Sequence, residues 1–306
     1  MAIYKKRIWI TGNGFLGKNI FSVLNKNKYE ICISKKNEID LFEYHKIVKH
    51  LKNFKPDIIL QSAGKVGGII RNKKEKFELL NENIRVSSNL ISSSFEILPN
   101  VRFLNFVSSC IYPNNKKTKI KETDFSNNFI EKSSENYALA KIISLKMSKL
   151  LFEKGREFIN IIPSNLYGPH DNFNPFESHV IPGLIQKMSN SKKEILLPGS
   201  GIAKRDFVYI DDFALAIKKI ITSKKILSDT YNISSNETIS IKKLIIKIQK
   251  LIKFDHKIKF KYDDNNGTLY KCLSSDNFRR EFKWKEKYTL EEGLNKTIKW
   301  YTARLL

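Results

Sequence analysis

A chain of 306 residues, 41% hydrophobic and 28% charged, can bury a large core as one or two domains, and its composition is that of a water-soluble globular protein. No apolar run approaches the roughly 20 residues that span a bilayer, and the three scattered cysteines, Cys32, Cys110 and Cys272, match neither a disulfide framework nor a metal-binding spacing. The formal charge of +24 would suit nucleic acid or an acidic membrane, but the lysines are spread along the whole chain without a basic block or a binding motif, so it reads as compositional drift. We therefore expect no nucleic-acid partner, no membrane partner and no metal. A basic surface would still attract an anionic sugar nucleotide. After Lys5, Lys6 and Arg7 the apolar run is short and ends in Thr11-Gly12, a strand-to-turn signal and no signal peptide, so the expected compartment is the cytoplasm.

Residues 7–11 read as a buried strand. It runs into Gly12-Asn13-Gly14-Phe15-Leu16-Gly17 and a helix through Leu24, the context in which Gly-x-Gly-x-x-Gly is informative. The glycines allow a tight turn and let a pyrophosphate approach the helix N-terminus. A second strand, 29–33, ends in Ser34-Lys35-Lys36, two cations and a hydroxyl where an NAD site usually has an acid. That pattern favours the 2′-phosphate of NADP(H). Asp40, followed by Leu41, could reach the adenine amino group. A third strand leads through Gln61 and Ser62 to the small residues Ala63 and Gly64, which let a cofactor lie against the backbone. Lys65-Val66-Gly67-Gly68-Ile69 continues that loop. Residues 77–95 read as a long helix carrying Asn83, and the next strand, 101–107, delivers Ser108 at its carboxyl end, where ligands of open parallel sheets sit.

After a polar loop, 116–134, comes Tyr137-Ala138-Leu139-Ala140-Lys141. Tyr137 and Lys141 share one helical face, and the lysine is expected to lower the phenol's pKa. With Ser108 they could hand a proton to a ketone oxygen while a hydride reaches its carbon. A dinucleotide site followed by this set is the combination of a short-chain dehydrogenase-type enzyme in its extended form. The second half begins with a strand at 158–162. The stretch from Pro163 through Phe173 looks too polar for core and too apolar for a linker, and reads as a binding loop. A helix starts near Ser178-His179. A turn at Pro198-Gly199-Ser200-Gly201 precedes the cations Lys204 and Arg205 and a short strand. Residues 239–306 alternate amphipathic helix and strand, with a turn at Asn266-Gly267-Thr268. The expected fold is α/β: a Rossmann-type doubly wound parallel sheet with a smaller, interwoven substrate-binding domain. Residues 1–162 would mainly bind NADP(H). Residues 163–306 would mainly bind substrate, with about 205–235 returning to the first domain.

Ala63-Gly64-Lys65-Val66-Gly67-Gly68-Ile69, Ser108-Ser109-Cys110-Ile111-Tyr112-Pro113, the Tyr137–Lys141 motif, Asn165-Leu166-Tyr167-Gly168-Pro169-His170-Asp171-Asn172 and Ser178-His179-Val180-Ile181-Pro182 together resemble the GDP-L-fucose synthase family, from Ile8 to about Trp300. The resemblance implies an extended short-chain dehydrogenase fold, NADPH, a GDP-linked 4-keto-6-deoxy sugar, a homodimer, and a place in nucleotide-sugar and surface polysaccharide biosynthesis. Carried over by position, Ser108, Tyr137 and Lys141 resemble the reductive triad, and Cys110 and His179 the pair that epimerises carbons 3 and 5. Lys65, Val66, Ser109, Asn165, Lys187, Arg205 and Lys271 fall where the sugar nucleotide would lie, and Lys141 and His179 also border the cofactor. Read without the family, Cys110 is a small buried hydrophobe and His179 a hydrogen-bonder at a helix start.

The chain departs from the family pattern in several places. The nucleotide loop is one residue shorter than the usual Gly-x-x-Gly-x-x-Gly and holds no basic residue. Lys187 and Pro198 stand where arginine and tryptophan are common, and Tyr270 precedes Lys271 where the family has arginine. Lysine cannot copy arginine's bidentate grip on phosphate. Two other readings stay open: a reductase-only enzyme of a GDP-6-deoxy-4-keto-heptose, and a non-catalytic nucleotide or nucleic-acid binding protein.

Overall fold

A computed structural model describes residues 5–35, 38–113, 118–125, 134–261 and 268–305. Lys36, Asn266 and Gly267 lie outside the described residues. The first half alternates strand and helix: β1 (Lys6–Ile10), α1 (Phe15–Val23), β2 (Tyr29–Ile33), α2 (Tyr44–Phe54), β3 (Ile58–Gln61), α3 (Ile69–Lys74), α4 (Lys76–Ile97), β4 (Arg102–Phe106), α5 (Glu135–Glu153) and β5 (Phe158–Pro163). The second half carries β6 (Asn165–Tyr167), α6 (Val180–Asn190), β7 (Ile195–Pro198), β8 (Lys204–Arg205), β9 (Phe207–Tyr209), α7 (Ile210–Thr222) and β10 (Thr230–Ile233). It ends with β11 (Ile239–Ser240), α8 (Ile241–Ile252), β12 (Ile258–Lys261), β13 (Tyr270–Lys271), α9 (Asp276–Phe282) and α10 (Leu290–Thr302).

The main sheet is six-stranded and parallel, in the order β10-β5-β4-β3-β1-β2. β3 and β4 are buried on both faces, and they are mostly apolar, broken by Gln61, Arg102 and Asn105, which are buried with hydrogen-bond partners. Alternate side chains of β1 serve opposite layers. Ile8 and Ile10 join a core with Ile20 of α1 and Phe213 and Ile217 of α7. Trp9 faces the other way, onto Ile47 and Leu51 of α2 and Leu90 of α4. Strand order reverses between β1 and β3, so the crevice outside their carboxyl ends is where a ligand of such a sheet belongs.

Tertiary context adds structure that the sequence reading lacked in two places. The stretch 163–173, which reads as a binding loop, contains β6, paired in parallel with β9. Its Tyr167 is core, 1% exposed, with its hydroxyl donating to the Leu290 carbonyl at 3.2 Å. The polar segment after Pro113 holds a 3-10 turn at Glu122–Asp124, and the Glu122 carboxylate accepts from Asn232 N at 2.8 Å. That bond caps an open N–H of β10, the edge strand of the sheet. Three short strands far apart in sequence, β11, β8 and β13, form a separate small sheet. Among the described residues no helix is long and apolar enough to cross a membrane, and no group of His, Cys, Asp or Glu could hold a metal ion.

Candidate active site

The glycine turn is built by close approach. A Cβ on Gly17 would lie 1.8 Å from the Gly12 carbonyl oxygen, and one on Gly12 would lie 3.1 Å from Ala63 N. The turns after β1 and β3 therefore touch. Ser62 Oγ donates to the Gly12 carbonyl at 3.1 Å, and Ala63 N donates to Thr11 Oγ1 at 3.2 Å. Asn13 and Gly14 are exposed, and Phe15 and Leu16 pack half-buried against the core. Gly14 caps α1 without a side-chain bond, and the first turn carries no acid. The free N–H groups there suit a phosphate. Asn19 ties α1 to the second half by donating to the Pro169 carbonyl at 2.9 Å.

At the end of β2, Ser34 is buried and its hydroxyl accepts from Trp9 Nε1 at 2.6 Å. Lys35 is exposed and pairs with Glu38 at 3.3 Å, and its backbone and amine hold the Glu38 carboxyl below its usual pKa. Asp40 Oδ1 accepts from Phe42 N at 3.0 Å, and the Leu41 carbonyl accepts from Asn89 at 3.2 Å.

The proton-transfer groups meet at the carboxyl end of β4. Ser108 caps the 3-10 turn Ser109–Ile111, with Oγ accepting from Cys110 N at 3.4 Å. The same hydroxyl hydrogen-bonds Tyr137. Lys141 is 5% exposed, donates to the Phe106 carbonyl at 2.8 Å, and lies 5.8 Å from the centre of the Tyr137 ring. The expectation that Lys141 lowers the phenol's pKa is corrected here. Burial pushes the Tyr137 phenol far above its ordinary value, the charge of Cys110 adds to that, and only the Ser108 bond acts downward. The i,i+4 spacing says nothing of desolvation, which dominates in this cluster.

Burial also drags Lys141 down to about 8, with Cys110 acting in the opposite sense. Lys141 is therefore an ammonium below that pH and loses its charge as pH rises through it. Reduction that depends on this charge should fall on the alkaline side near pH 8. A pH–rate profile flat from about 7 to about 10 would contradict this.

The loop after β3 closes over the same place. A Cβ on Gly64 would lie 2.9 Å from Asn83 Oδ1 and 3.9 Å from Lys141 Nζ. Asn83, buried on α4, accepts from Lys65 N at 3.0 Å and donates to the Lys65 carbonyl at 3.0 Å and the Leu79 carbonyl at 2.7 Å. So the turn that touches Gly12 is also clipped beside the buried lysine.

Residues 8–234, most of the chain, match the NAD dependent epimerase/dehydratase family. The chain belongs to that family. It is 32% identical over 304 residues to the GDP-L-colitose synthase of Yersinia pseudotuberculosis, covering 96% of this chain and 97% of that one. Among solved structures, a GDP-6-OMe-4-keto-L-xylo-heptose reductase from C. jejuni superposes with a TM-score of 0.87 at 24% identity, covering 98% of both chains. A GDP-L-fucose synthetase from Naegleria fowleri bound to NADP gives 0.88 at 21% identity, covering 100% of this chain and 97% of that one. The protein is thus an enzyme of the epimerase/dehydratase family, among its GDP-sugar synthases and reductases.

The epimerase/dehydratase core is assembled around Gly12, Gly17, Ala63, Gly64, Ser108, Cys110, Tyr137 and Lys141, with Ser109 half-buried beside them. His179 sits at the N-cap of α6 and makes no side-chain capping bond. The residue is exposed at the surface, while the protein packed around it lowers its pKa by desolvation. Lys65 carries two ion pairs, to Glu82 at 2.8 Å and Glu75 at 3.0 Å, and Val66 is exposed. Asn165 donates to the Asp206 carbonyl at 2.9 Å, and Lys187 is exposed in the last turn of α6.

Arg205 and Lys271, 66 positions apart by number, are register partners on β8 and β13, and Lys271 is buried. Two residues to which the sequence reading gave no role help to build the site. Asp206 is buried with Oδ2 accepting from Ser234 Oγ at 2.5 Å and Leu273 N at 3.0 Å, and burial lifts its pKa to about 6. Asn83, read only as part of a helix, holds the Lys65 backbone. The signal for Asp206 was its place directly after Arg205. Asn83 left none beyond a polar residue on the buried face of a long helix.

Proposed function

We propose that this enzyme is an NADPH-dependent carbon-4 keto reductase of a GDP-4-keto-6-deoxy sugar, and that Cys110 and His179 also epimerise carbons 3 and 5 of that sugar. The observation that carries the reading is the single buried cluster of Ser108, Tyr137, Lys141 and Cys110 beside the glycine turn. A nicotinamide dinucleotide bound along the Gly12–Gly17 turn, the α1 N-terminus and the Ala63-Gly64 loop would supply the hydride. Tyr137 hands its proton to the carbon-4 oxygen while Ser108 hydrogen-bonds the same oxygen. Lys141 holds a positive charge near the phenolate that forms. For epimerisation, the Cys110 thiolate takes a proton acidified by the neighbouring ketone, and His179 returns one from the opposite face. The name of the colitose synthase relative is in keeping with a GDP-linked sugar, and Arg205 and Lys271, register partners on β8 and β13, are the cations assigned to its diphosphate.

The first half is read as the cofactor domain and the second mainly as the substrate domain, in a cytoplasmic homodimer of polysaccharide biosynthesis. Leu139, Ile143 and Leu150 are exposed on one face of α5, which also carries the exposed Lys146, and Phe77 is exposed on α4. Sedimentation equilibrium checks the dimer.

A second reading, a reductase alone acting on a GDP-6-deoxy-4-keto-heptose, is favoured by Lys187. Its exposed ammonium offers a point charge where a bidentate grip would fix the nucleotide.

Incubation with dehydratase-generated hexose and heptose keto sugars, with product stereochemistry read by NMR, tests both readings. We expect NADPH oxidation, with NADPH preferred over NADH at least about tenfold through phosphate bonds to the lysines after β2. Equal specificity constants for the two cofactors would refute the preference and leave Lys35 as the partner of Glu38 alone. No oxidation with any GDP-keto sugar, together with salt-sensitive nucleic-acid binding, would point to the non-catalytic binder.

A further inference from the structure

Charges of alternating sign run from α4 to the segment that carries His179. Lys65 bridges Glu82 and Glu75. Arg71 reaches the same Glu75 carboxylate at 3.1 Å and Glu177 at 3.4 Å. Two glycines make this path possible. A Cβ on Gly67 would lie 2.4 Å from Arg71 Cδ, so Arg71 folds back over bare backbone. A Cβ on Gly68 would lie 2.8 Å from the Ser178 carbonyl oxygen, and Gly68 N donates to the Glu177 carbonyl at 3.0 Å. Asn172 adds a bond to the Glu177 carboxylate at 3.0 Å. At the other end, Asn83 grips the Lys65 backbone and Gly64 lies beside Lys141.

Isolated surface ion pairs contribute little. These groups are only 19–36% exposed, and Lys65, Glu75 and Arg71 each serve two partners. The network also has a target. Glu177 and Ser178 directly precede His179, the N-cap of α6, so a shift of that segment carries the imidazole with it.

We propose that Arg71 and Glu177 are positioning residues for His179: the charge chain clamps the 177–179 segment onto the loop after β3 and sets the imidazole where it can return a proton to the sugar. This rests on the reading of His179 as an epimerisation group. Proton transfer is sensitive to displacement, and a shift near 1 Å can cost about a hundredfold.

The test is Arg71→Met, which keeps the stem and removes both pairings. Deuterium wash-in at carbons 3 and 5, measured without nicotinamide, should fall at least about tenfold. NADPH-driven reduction of a pre-epimerised substrate should change by less than about twofold, since that step needs no proton from His179. The His179 imidazole resonance, assigned with His179→Asn, should shift or broaden. Adding Arg71→Met to His179→Asn should cost nothing further, the non-additivity expected of a residue that acts through another. Arg71→Lys should recover part of the exchange. If Arg71→Met folds poorly by thermal melting, Glu177→Gln carries the same test from the other side of the pair. Wild-type exchange that survives these variants intact, or a His179 resonance they leave unmoved, overturns the proposal alone. A wild type that washes in no deuterium above the spontaneous rate overturns the epimerisation reading itself, and the role proposed for Arg71 with it.

Discussion

Tyr137→Phe should lower the rate of NADPH-driven ketone reduction by about 10²–10⁴-fold, the range typical of a positioned proton donor and equivalent to roughly 2.7–5.5 kcal/mol of barrier. The ring is buried and its surroundings stay filled by phenylalanine, so the fold should survive. Cofactor affinity should survive as well, because the glycine turn and the α1 N-terminus do not involve the phenol. The loss should fall on kcat and kcat/KM together, the mark of an interaction made in the transition state. Ser108→Ala should cost less, since it removes one hydrogen bond to the oxygen and leaves the proton donor in place. Steady-state and single-turnover kinetics with both variants check this. A Tyr137→Phe enzyme that keeps wild-type kcat would remove the tyrosine from the chemistry and leave the buried cluster a structural feature.

Gly17→Ala should damage stability and cofactor binding at once. Its Cβ would stand 1.8 Å from the Gly12 carbonyl oxygen, 3.0 Å from the carbonyl carbon and 3.2 Å from Ile10 Cγ2. None of these is the far end of a flexible side chain, so the turn itself must open. Overpacking of this kind costs about 1–3 kcal/mol or more. Alanine's better helix propensity, worth up to about 1 kcal/mol, does not offset it. Opening the turn also separates the Gly12 and Ala63 loops and spoils the phosphate site at α1, so NADPH affinity should fall by at least about tenfold.

Gly14→Ala is the matched control. A Cβ there meets nothing within 4 Å, so the apo protein should melt as the wild type does. Any loss of NADPH affinity in that variant would show a glycine kept for the ligand's approach and not for packing. Thermal melts and cofactor titrations of both variants decide the matter. An unchanged midpoint and unchanged affinity for Gly17→Ala would refute the account of the turn.

Local pattern alone located the strand–glycine turn–helix unit, the long α4, the strand that ends at Ser108, and the Tyr137–Lys141 pair. Each has a signature within a dozen residues: doubly buried parallel strands are mostly apolar runs, a tight phosphate turn needs glycine, and one helical turn sets the i,i+4 pair. The motifs around Cys110 and His179 were legible only as a family resemblance, because neither a buried thiol nor a histidine at a helix start declares its chemistry. Tertiary structure alone decided the rest. It made Tyr167 core by bringing β9 and Leu290 against it. It bound Lys65 to Glu75 and Glu82, although the lysine had been expected to face the substrate. It set Arg205 beside Lys271, and turned Ser34 inward onto Trp9. It also raised the phenol's pKa where helix geometry suggested the reverse. Each of these is a contact between segments remote in sequence, or the desolvation that such contacts create. Neither leaves a periodicity or a spacing in the chain, because the energy comes from partners that only folding brings within reach.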